Sequence, residues 1–473
     1  MQRRSFGWIL LLVMIGLGVW SPLSQATHAA PGASTSAYFP VVLVPATPTP
    51  APTATPVPEP PYGSVIPNDP YFRNAQWNLE RVRAAEGWSI STGRDVTIAI
   101  IDTGVDYRHP DLAGRFVDPS VWYDFSENDR DPMDGNGHGT HVAGIAAAAT
   151  NNGQGVAGTS WGGRILPLKV LRDDGSGYLS WSAAAVKYAA DHGARVINMS
   201  LGGRSPNAAL QSEILAARAR GVVVVASAGN CHAGSTSASC NYTDDAPSYP
   251  GKMDGVLAVA GTTRSDAHAP YSTVGGYVDV AAPGGDSSSS SARVYSTLRN
   301  GSYGGLSGTS MAAPHVSGLA ALILGEVPWW SAEQVEALIL DTAVDLGSPG
   351  KDPYFGAGLI DVRRALESVW YQQATAVDSQ AAGEASPLGE DLATLATDCD
   401  IPHASDRLLV QRSSAGKAAL DAVPDGVSYR VLANLTAWQV LQIPDGQACG
   451  VMKALNAAGK GAVAELDVII SAE

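Results

Sequence analysis

The chain has 473 residues, with 30 Lys and Arg against 45 Asp and Glu, giving a formal charge of −15 at pH 7. That length suggests about three domains, and the acidity argues against nucleic acid or an anionic membrane surface as a partner. The 51 glycines and abundant alanines suit a tightly packed α/β protein, and the four cysteines allow two disulfides without requiring them.

Residues 1–30 read as an export signal: Arg3 and Arg4, an apolar run over 8–20, then small residues with a cleavage point between Ala26 and Ala30. The apolar run is too short for a comfortable membrane span, so a secreted protein without a stable membrane anchor is expected. Arg3-Arg4-Ser5-Phe6 resembles a twin-arginine signal while Gly7-Trp8 departs from it, which leaves the export route open. Residues 31–63 form a linker, because the Pro/Thr/Ala repeat over 45–61 has little to bury and favours extended polyproline.

From 64 to 370 the pattern alternates. Strands are expected at 96–102, 165–171, 195–201, 222–226, 256–260 and 278–281. Helices are expected from His138, over 180–192 and 207–220, and from Ser310. Ser331-Ala-Glu-Gln334 is a capping-box signature opening one more helix. Apolar strands alternating with helical segments imply a mostly parallel sheet covered on both faces, a three-layer α/β fold. Residues 371–404 have no clear period and read as a second, acidic linker. Residues 405–473 read strand, short helix, two strands, helix, strand, a small α+β domain, with helices near 417–423 and 448–458.

Three stretches carry chemistry. Val96-Thr-Ile-Ala-Ile-Ile-Asp102-Thr-Gly ends an apolar strand in a carboxylate. In Asn136-Gly-His138-Gly-Thr-His141-Val-Ala-Gly, glycines open a small-residue helix. Gly308-Thr309-Ser310-Met311-Ala312-Ala313-Pro314 places a serine in the first turn of an apolar helix, where unsatisfied N–H groups favour nearby negative charge. A serine nucleophile needs an imidazole base, and the imidazole needs a carboxylate to fix its tautomer. In α/β sheets such groups gather at the carboxyl ends of strands. Asp102 is preferred to Asp106, read as a solvated loop residue. His138 is preferred to His141, read as a packed histidine, since the H-x-x-H pair lacks the Glu of a metalloprotease helix. Gly158-Thr-Ser160-Trp-Gly162 fits the G-x-S-x-G elbow, but a strand follows it where that motif needs a helix, so Ser160 is set aside.

The order Asp102, His138, Ser310 is that of the subtilisin-like serine proteases, and the three motifs resemble that family's signatures over about 67–366, nearest to the thermitase branch. The resemblance implies an endopeptidase acting on proteins or peptides, with Asn230 of Ser227-Ala-Gly-Asn230 as oxyanion donor. It also implies a substrate lying extended beside Ser200, Leu201 and Gly202. Ala226, Ser227, Ala228 and Gly229 would wall the pocket before the cut and Ser248 would form its base, favouring apolar or aromatic residues. A structural Ca²⁺ is implied at Asp69, Asp111 and Asn152 with the carbonyls of Ala149, Gln154 and Val156, and a weaker site at Asp124, Asp129 and Asp131. Cys231 and Cys240 flank a Gly/Ser loop absent from the thermitase pattern and would pair in an oxidising compartment, as would Cys399 and Cys449. The 405–473 segment resembles the propeptide-like inhibitor domain that precedes the catalytic domain in this family. It is therefore expected to restrain or assist the enzyme in cis, with Ile470 four residues back from the cut and Glu473 nearest Ser310. A monomer is expected.

Overall fold

The computed structural model describes residues 63–232, 245–375, 403–411, 430–434, 438–442 and 464–472. The expected export signal, the proline-rich linker up to 62, Cys240, Cys399, Cys449, both expected tail helices and Glu473 lie outside the described residues.

Seven strands form one sheet in the order β2-β3-β1-β5-β7-β8-β9, every neighbour parallel. They are β1 (Thr97–Asp102), β2 (Tyr123–Asp124), β3 (Arg164–Lys169), β5 (Val196–Met199), β7 (Val223–Ser227), β8 (Leu257–Thr262) and β9 (Val280–Pro283). Two short strands, β4 (Ser176–Tyr178) and β6 (Leu201–Gly202), lie outside that order, and β10 (Val294–Leu298) with β11 (Ser302–Leu306) forms a hairpin. Side chains alternate across a strand, and β1 shows the result. Ile98 and Ile100 belong to one core layer, Ala99 and Ile101 to the other.

The first layer is closed by α4 (His138–Ala147), α7 (Thr309–Glu326), α8 (Ala332–Asp341) and α9 (Val362–Thr375), with the short N-terminal helices α1 (Phe72–Ala75), α2 (Trp77–Arg81) and α3 (Ala84–Gly87). The second is closed by α5 (Leu179–Asp191) and α6 (Ala208–Arg218). The expected box caps α8: the Ser331 side chain accepts from Gln334 N–H while the Gln334 side chain accepts from Ser331 N–H. Strand order reverses between β1 and β5, the crevice where ligand-handling groups collect in parallel sheets.

In the tail, β12 (His403–Gln411), β13 (Arg430–Asn434), β14 (Trp438–Gln442) and β15 (Ala464–Ala472) form an antiparallel ladder in the order β13-β14-β12-β15. The linker bounds move slightly, since α9 runs to Thr375 and β12 starts at His403.

Candidate active site

Asp102, the last residue of β1, is fully buried, and its Oδ1 accepts the Thr103 N–H (2.7 Å) and the Nδ1–H of His138 (2.7 Å). With the Nδ1 proton on that carboxylate, the other ring nitrogen of His138 keeps its lone pair. The start of α4 is fixed by Asp134, a buried residue that no motif singled out. Its Oδ1 takes the N–H groups of Asn136 (2.9 Å) and Gly137 (2.8 Å) and the Thr103 hydroxyl (2.9 Å). Its Oδ2 takes the N–H and hydroxyl of Thr140 (2.9 and 2.6 Å). Gly139 is required here because a Cβ would run into the Gly104 carbonyl and stand 3.1 Å from the Asp102 carboxylate.

Ser310 is the second residue of α7, two positions past where a capping serine would stand; the N-cap is Gly308. Pro314, inside the helix, has no N–H to give the carbonyl four residues back. That carbonyl belongs to Ser310, and it accepts the Ser200 hydroxyl instead (2.9 Å). The Ser200 Oγ in turn accepts from Asn198 Nδ2 (3.0 Å), and Asn198 Oδ1 accepts the Ser317 hydroxyl (2.9 Å). The Ser310 hydroxyl donates to the Ser200 carbonyl (3.3 Å). A buried polar chain from β5 to α7 thus holds the Ser310 backbone.

Asn230, buried three residues beyond the end of β7, accepts both the N–H and the hydroxyl of Thr309 on Oδ1 (2.9 Å each). Gripped by its oxygen, the amide has its NH₂ as the donating end. Thr309 adjoins Ser310, so the Asn230 amide and Ser310 share one anchor.

Ala226, Ser227 and Ala228 are fully buried behind Gly229. Gly229 has φ of 107°, and a Cβ there would stand 2.9 Å from Ser248 Cβ, so Gly229 and Ser248 lie against each other. The Tyr277 hydroxyl ties them, donating to the Ala228 carbonyl (2.6 Å) and accepting from Ser248 N–H (3.4 Å). Tyr277 lies far from every motif and was not singled out by sequence.

Between β4 and β6 lies β15. Ile469, Ile470 and Ser471 pair antiparallel with Tyr178, Gly177 and Ser176; Ser471 and Ala472 pair antiparallel with Gly202 and Leu201. One strand therefore hydrogen-bonds on both sides, at the strand next to Ser200.

Asp69 and Asp111 are buried, and each takes N–H groups of the 149–156 loop. Asp69 accepts from Asn151 (2.7 Å) and Asn152 (3.3 Å); Asp111 accepts from Val156 (2.7 Å) and from Asn152 Nδ2 (2.8 Å). Asn152 Oδ1 accepts from Gln154 N–H (2.8 Å), and Ala149 N–H binds the Asp111 carbonyl (2.8 Å). Burial pushes the Asp111 carboxyl up to about 6, with the Asp69 charge adding to it, and burial raises Asp69 as well. Two hard carboxylates held together against their repulsion, beside an amide, fit an oxygen-coordinated cation.

In the second acidic cluster Asp124 and Asp129 exchange backbone N–H and carbonyl groups (3.0 and 3.1 Å), and Asp129 Oδ1 accepts the Asp131 N–H (2.9 Å). Asp124 is buried and spends Oδ1 on Ser126 N–H (2.6 Å) and hydroxyl (2.7 Å) and Glu127 N–H (3.1 Å), whereas Asp129 and Asp131 are exposed. Among the described residues no three His, Cys, Asp or Glu side chains form a metal-binding group.

Ser160 is buried in a loop between α4 and β3, its hydroxyl on the Thr92 carbonyl (3.3 Å). His141 is fully buried with Nε2 at the Gly304 carbonyl (3.1 Å), and burial pushes its pKa down to about 3. Asp106, read as a solvated residue, is instead buried. Its two carboxylate oxygens are consumed by the N–H groups of Arg108 (3.1 Å) and Asn300 (2.7 Å), which pulls it into the loop junction.

Comparison with known proteins agrees with this geometry. Residues 93–358 match the subtilase family. Thermitase of Thermoactinomyces vulgaris is 44% identical over 303 residues, 64% of this chain and 99% of the relative. Subtilisin E of Bacillus subtilis is 38% identical over 303 residues, 63% of this chain and 72% of the relative. A solved protease structure from Pseudoalteromonas arctica superposes with a TM-score of 0.56 at 33% identity, covering 64% of this chain and 99% of that one. With a parallel sheet, a His138 hydrogen-bonded to the buried Asp102 and a helix-borne serine all falling within the matched span, the chain belongs to the subtilase family and is a serine endopeptidase.

Proposed function

We propose that this chain is a secreted, monomeric endopeptidase in which Ser310 attacks the scissile carbonyl and forms an acyl-enzyme. His138 takes the Ser310 proton and returns it to the leaving amine, while Asp102 orients the imidazole and stabilises its charge. Asn230 Nδ2, with backbone N–H groups at the start of α7, binds the oxyanion. The observation that carries this reading is the 2.7 Å bond between His138 Nδ1 and Asp102 Oδ1. A small, neutral pocket base at Ser248 gives broad specificity for apolar or aromatic residues before the cut. The disulfide-bonded state of Cys231 supports an oxidising destination, and among the described residues no helix is long and apolar enough to cross a membrane.

Asp69, Asp111 and Asn152, with loop carbonyls at Ala149, Gln154 and Val156, would hold a Ca²⁺ that ties the N-terminal segment to the 149–156 loop. When bound, such an ion supplies charge neutralisation and rigidity; the chemistry at Ser310 does not require it. The tail serves as a cis-acting restraint. Supporting this, β15 takes the two-sided strand position that an extended substrate would need.

A fluorophosphonate should label the parent protein and fail to label Ser310→Ala, with the peptide-hydrolysing activity lost in parallel. Undiminished hydrolysis by Ser310→Ala would remove Ser310 from the mechanism.

A further inference from the structure

Away from the catalytic groups, two histidines face each other across the segment that follows Asn230. The rings of His232 and His268 have centroids 5.4 Å apart at 80°. The Nδ1–H of His232 donates to Asp245 Oδ1 (2.7 Å), so the remaining nitrogen of that ring carries a lone pair. His268 makes no hydrogen bond through either ring nitrogen among the described residues, and its Nε2 is buried. Edge-on rings of Tyr354 (5.2 Å) and Phe355 (5.9 Å) wall it in. Burial, with the neighbouring His232 adding, pushes the His268 pKa down to about 4, so at neutral pH its lone pair is available.

Metal–imidazole bonds of about 2.1 Å at a tetrahedral angle place two ring centres about 5 Å apart. The observed spacing fits that figure. Asp245 on the far nitrogen of His232 is the outer-shell carboxylate that metal-binding histidines normally carry. We infer that His232 and His268 form a two-imidazole site for a borderline transition-metal dication such as Zn²⁺, Ni²⁺ or Cu²⁺, with Asp245 orienting His232 and water filling the other positions. Calcium, which prefers oxygen ligands, is not a candidate here. Two protein ligands make an open, exchangeable site, in keeping with the absence of any three-residue metal group among the described residues.

Occupancy would link the oxyanion segment to the loop bearing His268. That junction is already held by His232 N–H on the Tyr271 carbonyl (3.1 Å) and Cys231 N–H on Thr273 Oγ1 (2.9 Å). The ion thus acts as a clamp on the strand end that positions Asn230, and by mass action it slows thermal inactivation.

The test is calorimetric titration with Ni²⁺ in saturating Ca²⁺, on protein phosphonylated at Ser310 to prevent self-digestion. The parent should bind one ion that His232→Gln and His268→Gln each lose, while Asp245→Asn binds it about 10- to 100-fold more weakly. Both glutamine variants should retain parental turnover without added metal. On the unaltered chain, electron paramagnetic resonance of one bound Cu²⁺ should show two nitrogen ligands, a readout independent of any variant's folding. Superimposable titrations for parent and variants, or a Cu²⁺ spectrum with oxygen ligands alone, would overturn the inference.

Discussion

Helix α7 gives up one of its own hydrogen bonds at the residue that matters most. Pro314 leaves the Ser310 carbonyl to the Ser200 hydroxyl, so the nucleophile's backbone is fixed from the sheet as well as from the helix. Pro314→Ala restores an N–H that competes for that carbonyl. Turnover should fall while KM changes little, because the interaction positions Ser310 and touches no substrate; steady-state kinetics on a small peptide check this. Asn230 poses the complementary case. Its amide grips Thr309 through oxygen, and in the proposed mechanism its NH₂ would meet charge that exists only in the transition state. Asn230→Ala should therefore lower kcat by about 10²- to 10³-fold, about 3–4 kcal/mol, at nearly constant KM; equal rates in mutant and parent would exclude it from the site. Asp102, His138 and Ser310 were legible because each sits in a contiguous motif at a strand end or helix start. Asp134, Tyr277 and the Asn198–Ser200–Ser317 chain were not, since their work depends on side chains meeting across elements far apart in sequence.

At the scale of elements, continuous apolar runs, buried on both faces of the sheet, made the strands readable to within a few residues, and Ser331 with Gln334 announced α8. What sequence could not supply was the competition for polar groups in loops. It left Asp106 in solvent, where the structure gives both its oxygens to backbone N–H groups. The Asp69–Asp111 loop pair yields a pH prediction with a definite sign. In the metal-free fold the Asp111 carboxyl titrates at about 6 against an ordinary 3.8, so the folded state binds its proton more tightly than the unfolded chain. Stability from that proton is present at low pH and lost as pH rises from about 4 through about 6, a change of about 3 kcal/mol. Calcium, which holds the ionised form, should abolish the loss. Urea unfolding of phosphonylated protein at pH 4.5 and 7, with EDTA or Ca²⁺, measures it. In EDTA the Asp111→Asn variant should lack the parent's decline. EDTA should also shorten the half-life on heating while initial activity at low temperature survives; immediate loss of turnover in an intact fold would point to a catalytic metal instead.

Across the whole molecule, the tail's last described strand completes a sheet that belongs to the catalytic domain. A peptide held between β4 and β6 has ladder partners on both sides, and β15 already takes them: Ser471 pairs with Ser176 and Gly202 at once. The strand, helix, two strands, helix, strand pattern anticipated four tail strands, and the observed order β13-β14-β12-β15 leaves β15 at the ladder's end, where its other edge can meet the cleft. If the tail restrains the enzyme in cis as proposed, it would compete with substrate at an effective concentration set by its tether, and a modest intrinsic affinity would suffice to occupy the site. Removing one ladder donor tests this more cleanly than truncation, which could also remove a folding aid. Ser471→Pro deletes the N–H of the residue paired on both sides and should weaken the tail's hold without altering the catalytic core. The expected result is faster hydrolysis of a small peptide by the full chain, with an unchanged active-site titre and a rate that approaches that of protein lacking 403–473. Added separately, a peptide spanning 464–473 should inhibit the truncated protein competitively, and its Ser471→Pro counterpart should do so more weakly. If full-length parent and Ser471→Pro turn over at the same rate, and neither peptide competes with substrate, β15 does not restrain the enzyme.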